Sequence, residues 1–318
     1  MSDIGPWGRI LLRHPRQAFV DDATIARQWR GLNFTAPPDF GQAVGQYERF
    51  IDVLGCSGAE VLTCSGAGAP QHGSTEAREH LSTTAQEHPS TGAPQHPSTV
   101  LSLDSLYVRD ASVMSPRGAI LCRMGKAQRE NEPVAMAECY RSLGIPILGA
   151  IEAPGTLEGG DVTWLGPRLP AVGRGYRTND EGIRQLRVLL GDSIDALLVA
   201  PLPHYRGPGD VFHLMSILSP VDRDLAVVYS PLMPVTFREA LLGLGYTLVE
   251  VPDDEFDSMG ANVFALSPRR CLMVDGNPKT RAALERAGAE VLVYEGSEIS
   301  LKGGGGPTCL TRPIQMGN

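Results

Sequence analysis

The chain has 318 residues, enough to bury a substantial core in one large domain or two smaller ones. It is 42% hydrophobic and 20% charged, as in ordinary soluble proteins, and its net charge of −8 argues against a general nucleic-acid binder. No apolar run is long enough to span a bilayer and the first residues lack a signal-peptide pattern, so we expect a cytoplasmic protein without a membrane or nucleic-acid partner.

A helix that ends at a glycine and leads into a short strand is predicted five times along the chain. Glycine just after a helix accepts the left-handed conformation that ends it, and the apolar alternation that follows suits a strand. The five copies cover residues 43–63, 133–148, 179–200, 235–251 and 278–294.

A predicted hairpin with a similar turn precedes four of these helices. The hairpins contain Pro116, Pro167, Pro220 and Pro268, which lie 51, 53 and 48 residues apart. A fifth hairpin would pair residues 8–15 with residues near the C-terminus and so close a ring. A strand–strand–helix–strand unit of about 50 residues, repeated around an axis, is typical of a propeller-like fold.

Residues 65–99 interrupt this pattern with a segment that contains four similar octapeptides. Each octapeptide carries one histidine: His72, His80, His88 and His96. Histidine tracts can bind metals, but this segment has one large apolar residue, Leu81, and no aromatic residue, so it cannot bury enough surface to order itself. We therefore expect a low-complexity insertion at 65–99 within a single catalytic domain that spans 1–318.

Polar residues recur at similar positions of the repeated unit, shortly before the proline of each hairpin. Asp110, Asp161 and Asn262 each precede that proline by six residues, and His213 precedes it by seven. Equivalent positions of a cyclic repeat surround one axis, so these side chains and the nearby Glu158 would converge at one mouth. The alternative is that the Asp and Asn residues merely begin strands as turn residues.

Cys309 is the candidate nucleophile, because four glycines and a proline at 303–307 precede it. Glycines let a backbone approach something closely, and proline stiffens it just before the thiol. The other five cysteines are scattered without a C-x-x-C pair, as expected of unpaired thiols in a reducing compartment. No cluster with metal-ligand spacing occurs outside the octapeptides, so we expect no metal and no cofactor.

Five segments in order resemble the guanidino-group-modifying enzymes of the pentein superfamily, most of all the dimethylarginine dimethylaminohydrolases, with arginine deiminases and amidinotransferases as relatives. The segments are DSLYVRD (104–110), LEGGDV (157–162), YRTNDEGIRQL (176–186), VFHLMS (211–216) and GGGPTCLTRPI (304–314). The resemblance covers nearly the whole chain outside 65–99. It implies an α/β fold, a five-bladed propeller of ββαβ units around a pseudo-fivefold axis, in agreement with the repeat.

The resemblance also implies roles for individual residues. The catalytic set is Cys309 as nucleophile, His213 as general acid and base, and Glu158 as the carboxylate that orients the histidine and holds the guanidinium. The substrate-binding set is Asp104, Asp110, Arg129 and Arg177. In this set Asp110 would clamp the guanidinium, while the two arginines would hold the α-carboxylate of the substrate.

These residue types suit one chemistry. Two carboxylates can grip a guanidinium through bidentate hydrogen bonds, a thiolate can attack its central carbon, and a histidine can protonate the departing nitrogen. We expect hydrolysis of arginine or N-methylated arginine to citrulline and an amine or ammonia. An amidinotransferase and a non-catalytic guanidino-binding protein are the alternatives. The expected partner is a small guanidino amino acid, and whether the chain forms a homodimer stays open.

The segment 28–40 is rich in aromatic residues and proline and has neither a helical nor a strand period. Such loops commonly close over small substrates and exclude water, so we expect a lid over the pocket. The alternative is an ordinary packed loop.

Overall fold

The computed structural model describes residues 2–64, 101–210 and 212–315, and within them fifteen strands form five three-stranded sheets. The strands are β1 Arg9–Leu12, β2 Glu60–Thr63, β3 Ser112–Ser115, β4 Gly118–Leu121, β5 Ile147–Ala150, β6 Val162–Gly166, β7 Leu169–Arg174, β8 Leu198–Pro201, β9 Leu218–Asp222, β10 Leu225–Val228, β11 Thr247–Glu250, β12 Phe264–Ser267, β13 Arg270–Val274, β14 Glu290–Tyr294 and β15 Arg312–Ile314. The α-helices are α1 Pro15–Ala18, α2 Asp22–Gln28, α3 Phe40–Gly55, α4 Glu132–Ser142, α5 Asp180–Leu190, α6 Val235–Gly243, α7 Asp253–Phe256, α8 Pro278–Arg286 and α9 Pro307–Leu310.

Each sheet and one helix form the predicted unit. In the second unit β3 pairs antiparallel with β4, the chain crosses over through α4, and β5 returns parallel to β4. The units built on β6–β8, β9–β11 and β12–β14 follow the same path. A parallel return needs a long crossover connection, which each helix supplies.

The first unit is assembled from both ends of the chain. The central strand β1 pairs in parallel with β2, which follows α3, and antiparallel with β15, where Arg9 lies opposite Ile314. This pairing closes the ring, as predicted for the N-terminal strand. The predicted five-bladed α/β propeller of ββαβ units is therefore confirmed.

Apolar residues at helical spacing pack the helices against their sheets. On α5 Ile183, Leu186 and Leu190 are buried in one cluster with Val172 of the central strand. Burying each such side chain contributes about 1.5–3 kcal/mol, so this stripe fixes the helix on its sheet. Asn179 is the N-cap of α5, because its side-chain oxygen accepts a hydrogen bond from the Gly182 N–H at 2.8 Å.

Four of the five predicted helix-ending glycines have positive φ: Gly144, Gly191, Gly245 and Gly288. The prediction was wrong for Gly55, which still belongs to α3, and Gly58 has the left-handed conformation (φ 83°) instead. The hairpin predicted around Pro220 is present as β9 and β10, but Pro220 lies inside β9 and the chain reverses after Asp222, whereas the other three prolines lie in the turns. The strand β9 is an edge strand, where the missing N–H of a proline is tolerated.

None of the helices in the described ranges is long and apolar enough to cross a membrane. The predicted insertion at 65–99 lies outside the described residues, so that domain assignment stays a prediction.

Candidate active site

The candidate residues lie just before the first strand of each unit. Asp110 precedes β3, Glu158 precedes β6, His213 precedes β9, Asn262 precedes β12 and Cys309 precedes β15. The local backbone structures at Glu158 and His213 are the most similar, because each residue is followed by one turn of 3-10 helix that leads toward its strand. The repeated unit thus presents five different side chains from one recurring position.

His213 lies between two carboxylates. Its Nε2–H donates to Glu158 Oε2 at 2.7 Å, and its Nδ1 lies 3.8 Å from Asp110 Oδ1. Gly160 permits this approach, because a Cβ at that position would lie 2.6 Å from both His213 Nδ1 and Asp110 Oδ1. The absence of a side chain at position 160 therefore lets His213 lie close to Asp110.

Glu158 is fully buried and held by several donors. Its Oε1 accepts hydrogen bonds from the N–H groups of Gly125 and Lys126 at 3.0 and 3.1 Å, and Arg177 Nη1 lies 3.3 Å away. Burial alone would raise the pKa of Glu158, but the hydrogen bond and charge of His213, then Arg177, hold it well below its usual value. The carboxylate is therefore ionised at neutral pH.

The charges around His213 favour its protonated form. Burial would lower the pKa of the imidazole, but Asp110, Asp161 and the hydrogen bond to Glu158 raise it to about 9. Asp161 raises this pKa although it does not line the predicted mouth. Its two carboxylate oxygens accept hydrogen bonds from Thr178 Oγ1 (2.6 Å) and the Leu214 N–H (3.0 Å).

Cys309 is half-buried on the one-turn helix α9, which is fixed from two sides. Asn262 Oδ1 accepts from the Thr308 N–H at 3.0 Å, while Asn262 Nδ2 donates to Cys309 Sγ at 3.4 Å. Arg109 donates through Nε to Thr308 O at 2.9 Å, and its backbone N–H donates to Cys309 O. The glycine run serves this packing, because a Cβ on Gly306 would lie 2.5 Å from Asn262 Oδ1.

Burial, and next the charge of Asp110, raise the pKa of the Cys309 thiol, and hydrogen bonds from Thr308 and Asn262 oppose them. A positively charged ligand beside the sulfur would lower this pKa again, since an adjacent cation favours the thiolate. The site therefore favours the reactive form of the nucleophile once such a ligand is bound.

Arg129 is buried with its donors already engaged by the protein. Nη1 donates to Asp110 Oδ2 at 2.6 Å, while Nε and Nη2 donate to the two oxygens of Glu132 at 2.9 and 2.7 Å. Asp110 Oδ1 is buried and has no hydrogen-bond partner among the described residues. Sequence reasoning missed Glu132, although its position three residues after Arg129 is a common spacing for an ion pair at a helix start.

Asp104 is paired with a residue that sequence reasoning also missed. Lys126 Nζ donates to Asp104 Oδ2 at 2.6 Å and to Leu32 O at 2.9 Å, and both charged side chains are buried. The surrounding KAQREN reads as a solvated polar stretch, so the sequence carries no signal of this burial. The burial results from the segment 28–40, which contributes the Leu32 carbonyl.

Two connected spaces meet at Cys309 and His213. The outer cavity has a volume of about 290 Å³ and is walled in part by Tyr205, Phe212 and Phe256. The inner compartment has a volume of only about 10 Å³, and its polar wall consists of Asp104, Asp110, Lys126, Arg129 and Arg177. The site thus has a tight ionic part and a wider part with aromatic walls.

Part of the segment 28–40 lines the outer cavity, and its predicted role as a lid stays a prediction. Asn33 and Thr35 line the cavity. Asn33 Nδ2 donates a hydrogen bond to Gly209 O, and the Thr35 N–H donates one to Lys302 O, both at 2.8 Å. The segment therefore bridges two loops whose residues Asp210 and Lys302 line the same cavity as Cys309.

Asp110, Glu158 and His213 offer ligand atoms within 4.8 Å of one another, a spacing that would also suit a metal ion. The expectation of a metal-free site therefore stays a prediction. The same arrangement presents acceptors and a proton donor to a planar cation.

The chain is similar in sequence to known proteins over most of its length. The family model for arginine deiminase matches residues 100–241 and 233–315. The dimethylarginine dimethylaminohydrolase of Streptomyces coelicolor is 31% identical over 65% of this chain and 73% of its own. The arginine deiminase of Mycobacterium marinum is 30% identical over 66% of this chain and 60% of its own. 

A solved structure of Pseudomonas aeruginosa dimethylarginine dimethylaminohydrolase, bound to citrulline, has the same fold. It superposes with a TM-score of 0.68 at 22% identity, and the match covers 97% of this chain and 99% of that one.

Proposed function

The chain belongs to the arginine deiminase family, and on that premise we propose that it hydrolyses the guanidino group of arginine or N-methylated arginine to citrulline. The observation that carries this proposal is Asp110 Oδ1, a buried carboxylate oxygen without a hydrogen-bond partner among the described residues. It lies 3.8 Å from His213 Nδ1 and lines the same compartment as Cys309. A guanidinium N–H is the donor that this oxygen lacks.

Binding of the substrate prepares the nucleophile. The guanidinium donates to Asp110 Oδ1, and its positive charge lies beside Cys309, whose thiol pKa is raised by burial and by the charge of Asp110. The bound cation reverses that shift, so the thiol ionises next to the carbon that it attacks. Asn262 Nδ2 donates to the sulfur and keeps it directed to the site.

The covalent step uses His213 as an acid. The thiolate electron pair forms a bond to the central guanidinium carbon, and the bond from that carbon to the departing nitrogen breaks as His213 transfers its proton to it. The products of this step are an amine or ammonia and a thiouronium on Cys309. Glu158 keeps the imidazole oriented and protonated, since it accepts the Nε2–H at 2.7 Å.

Hydrolysis reverses these roles. Water occupies the place of the departed amine, His213 takes a proton from it, and the resulting hydroxide attacks the thiouronium carbon. The carbon–sulfur bond breaks as the added hydroxyl loses its proton to solvent, the thiolate of Cys309 is regenerated, and citrulline leaves. The net reaction of the guanidinium cation consumes one water and releases one amine or ammonia and one proton.

Cys309→Ser tests the proposal. We expect citrulline formation from arginine or its methylated forms to fall by several orders of magnitude, because a serine hydroxyl is a far weaker nucleophile at neutral pH. Rapid acid quenching followed by intact-protein mass measurement should reveal a covalent adduct in the unaltered enzyme and none in the variant.

Cys56→Ser is the matched control, since Cys56 is an exposed thiol just after α3 and should leave the rate unchanged. Citrulline formation by Cys309→Ser at the rate of Cys56→Ser would contradict the proposed nucleophile.

A further inference from the structure

Asp104 and Asp110 are the two carboxylates that line the inner compartment. In the proposed reaction, on which this inference rests, Asp110 binds the guanidinium. Asp104 is then the carboxylate left for a second positive charge on the substrate. In a free amino acid such as arginine, that second charge is the α-ammonium group.

Lys126 already supplies an ammonium at this carboxylate. Its Nζ lies 2.6 Å from Asp104 Oδ2 and 2.9 Å from Leu32 O. The exposed fractions of the Lys126 and Asp104 side chains are only 7% and 6%. A carboxylate oxygen and a carbonyl oxygen are acceptors that suit an α-ammonium, and Lys126 already engages both.

We propose that Lys126 is a specificity-determining residue whose ammonium occupies the place of a substrate α-ammonium at Asp104. A free amino acid whose α-ammonium binds Asp104 Oδ2 must first displace Lys126 from a buried ion pair. A guanidino acid without an α-ammonium binds with that pair intact, and its carboxylate gains a neighbouring cation. The favoured substrate class is therefore guanidino carboxylic acids that lack a free α-ammonium group.

Arginine and 5-guanidinopentanoate make a matched pair of substrates, because they share the guanidino group, the chain and the carboxylate and differ only in the α-ammonium. We expect kcat/KM of the unaltered enzyme to be higher for 5-guanidinopentanoate by about tenfold or more, the effect of one buried charge-assisted contact. The difference should lie mainly in KM, because Lys126 does not take part in the chemical steps.

Lys126→Ala should free Asp104 and shift the ratio of the two kcat/KM values toward arginine by about tenfold or more. Lys126→Arg retains a cation at Asp104 and should keep the original preference. A merely structural role for Lys126 would lower activity on both substrates together and leave their ratio unchanged.

A preference of the unaltered enzyme for arginine would overturn the inference, and this measurement does not depend on whether Lys126→Ala folds. An unchanged ratio in a folded Lys126→Ala would overturn it as well. Failure of the unaltered enzyme to turn over either compound, or any N-methylated arginine, would instead contradict the proposed function.

Discussion

Glu158 and Asp110 have different hydrogen-bond partners, and we infer from this that they perform different tasks. Both oxygens of Glu158 accept hydrogen bonds, one from His213 and the other from backbone N–H groups and Arg177. Asp110 uses one oxygen for Arg129 and keeps the other free of partners among the described residues. We therefore propose that Glu158 mainly orients and charges the histidine and that Asp110 binds the guanidinium of the substrate.

Arg129 and Lys126 are residues whose contacts in the structure could not be predicted from the sequence. The resemblance predicts Arg129 as a ligand of the substrate α-carboxylate, and that role stays a prediction. In the structure Arg129 joins Asp110 to Glu132, a contact that depends on how the start of α4 packs. Lys126 stands in a polar stretch whose burial is decided by residues about 90 positions away, so no local pattern indicates it.

The protonation of His213 should make stability depend on pH. Burial opposes its charge, but the surrounding carboxylates raise its pKa from the ordinary 6.5 to about 9 in the folded protein. A raised folded-state pKa means that this stabilisation is fully present below pH 6.5 and is lost as the pH rises through 9. The loss should reach at most a few kcal/mol, since each tenfold change in proton affinity is worth about 1.4 kcal/mol.

Urea unfolding at a series of pH values between 6 and 10 measures this effect, with His213→Asn as the matched variant that cannot titrate there. The difference in the free energy of unfolding between the two proteins should shrink as the pH rises. A difference that stays constant over the range would contradict a charged His213.

At the scale of elements, the repeated helix–glycine–strand pattern carried most of the prediction. Helical spacing of apolar residues and a glycine at the helix end are local signals, so they located the five crossover helices and the strands that follow them. The hairpin turns were less secure, because proline fits both a turn and an edge strand. Pro220 lies in an edge strand, and the identity of its pairing partner, Ala226, depends on the register of the whole hairpin.

Gly160→Ala tests how tightly the turn before β6 holds the site together. Its Cβ would lie 2.6 Å from two buried atoms, His213 Nδ1 and Asp110 Oδ1, so the histidine and the carboxylate must move apart. We expect kcat/KM to fall by about a hundredfold, the effect of a displacement of about 1 Å at a reacting group.

Gly166→Ala is the matched control in the same unit, because its Cβ would have Leu169 Cβ at 3.9 Å as its one near contact. It should leave kcat/KM unchanged. Equal activity of the two variants would show that the spacing between Asp110 and His213 does not matter for the reaction.

At the scale of the whole molecule, closure of the ring determines where Cys309, the proposed nucleophile, lies. Cys309 lies three residues before β15, which completes the first sheet only by pairing with β1 near the N-terminus. Asp3 also connects the N-terminal segment to two other units. It contacts Arg109, just before β3, at 3.3 Å, and it accepts a hydrogen bond from the Trp164 N–H on β6 at 2.6 Å. Both ends of the chain are therefore needed to bring the thiol to the carboxylates.

The same closure predicts that residues 65–99 are dispensable for the fold and for catalysis. All strands of the five sheets, and all residues assigned to the site, lie outside this range. The N-terminal part of the first unit ends with β2 at Thr63, and the next unit begins with the turn at Leu103–Leu106. Replacing 65–99 by a short Gly-Ser linker should change the free energy of unfolding by about 1 kcal/mol or less, because loop-closure entropy varies slowly with loop length.

Thermal unfolding and kcat/KM with the preferred guanidino substrate would measure both effects of this excision. Extending the deletion through residue 106 is the control, because it also removes Asp104 and the buried Leu103 and should abolish activity. Loss of activity in the first variant with an unchanged melting transition would mean that 65–99 contributes directly to the site. That outcome would contradict its assignment as an insertion, since the ring of five units would then not suffice for the reaction.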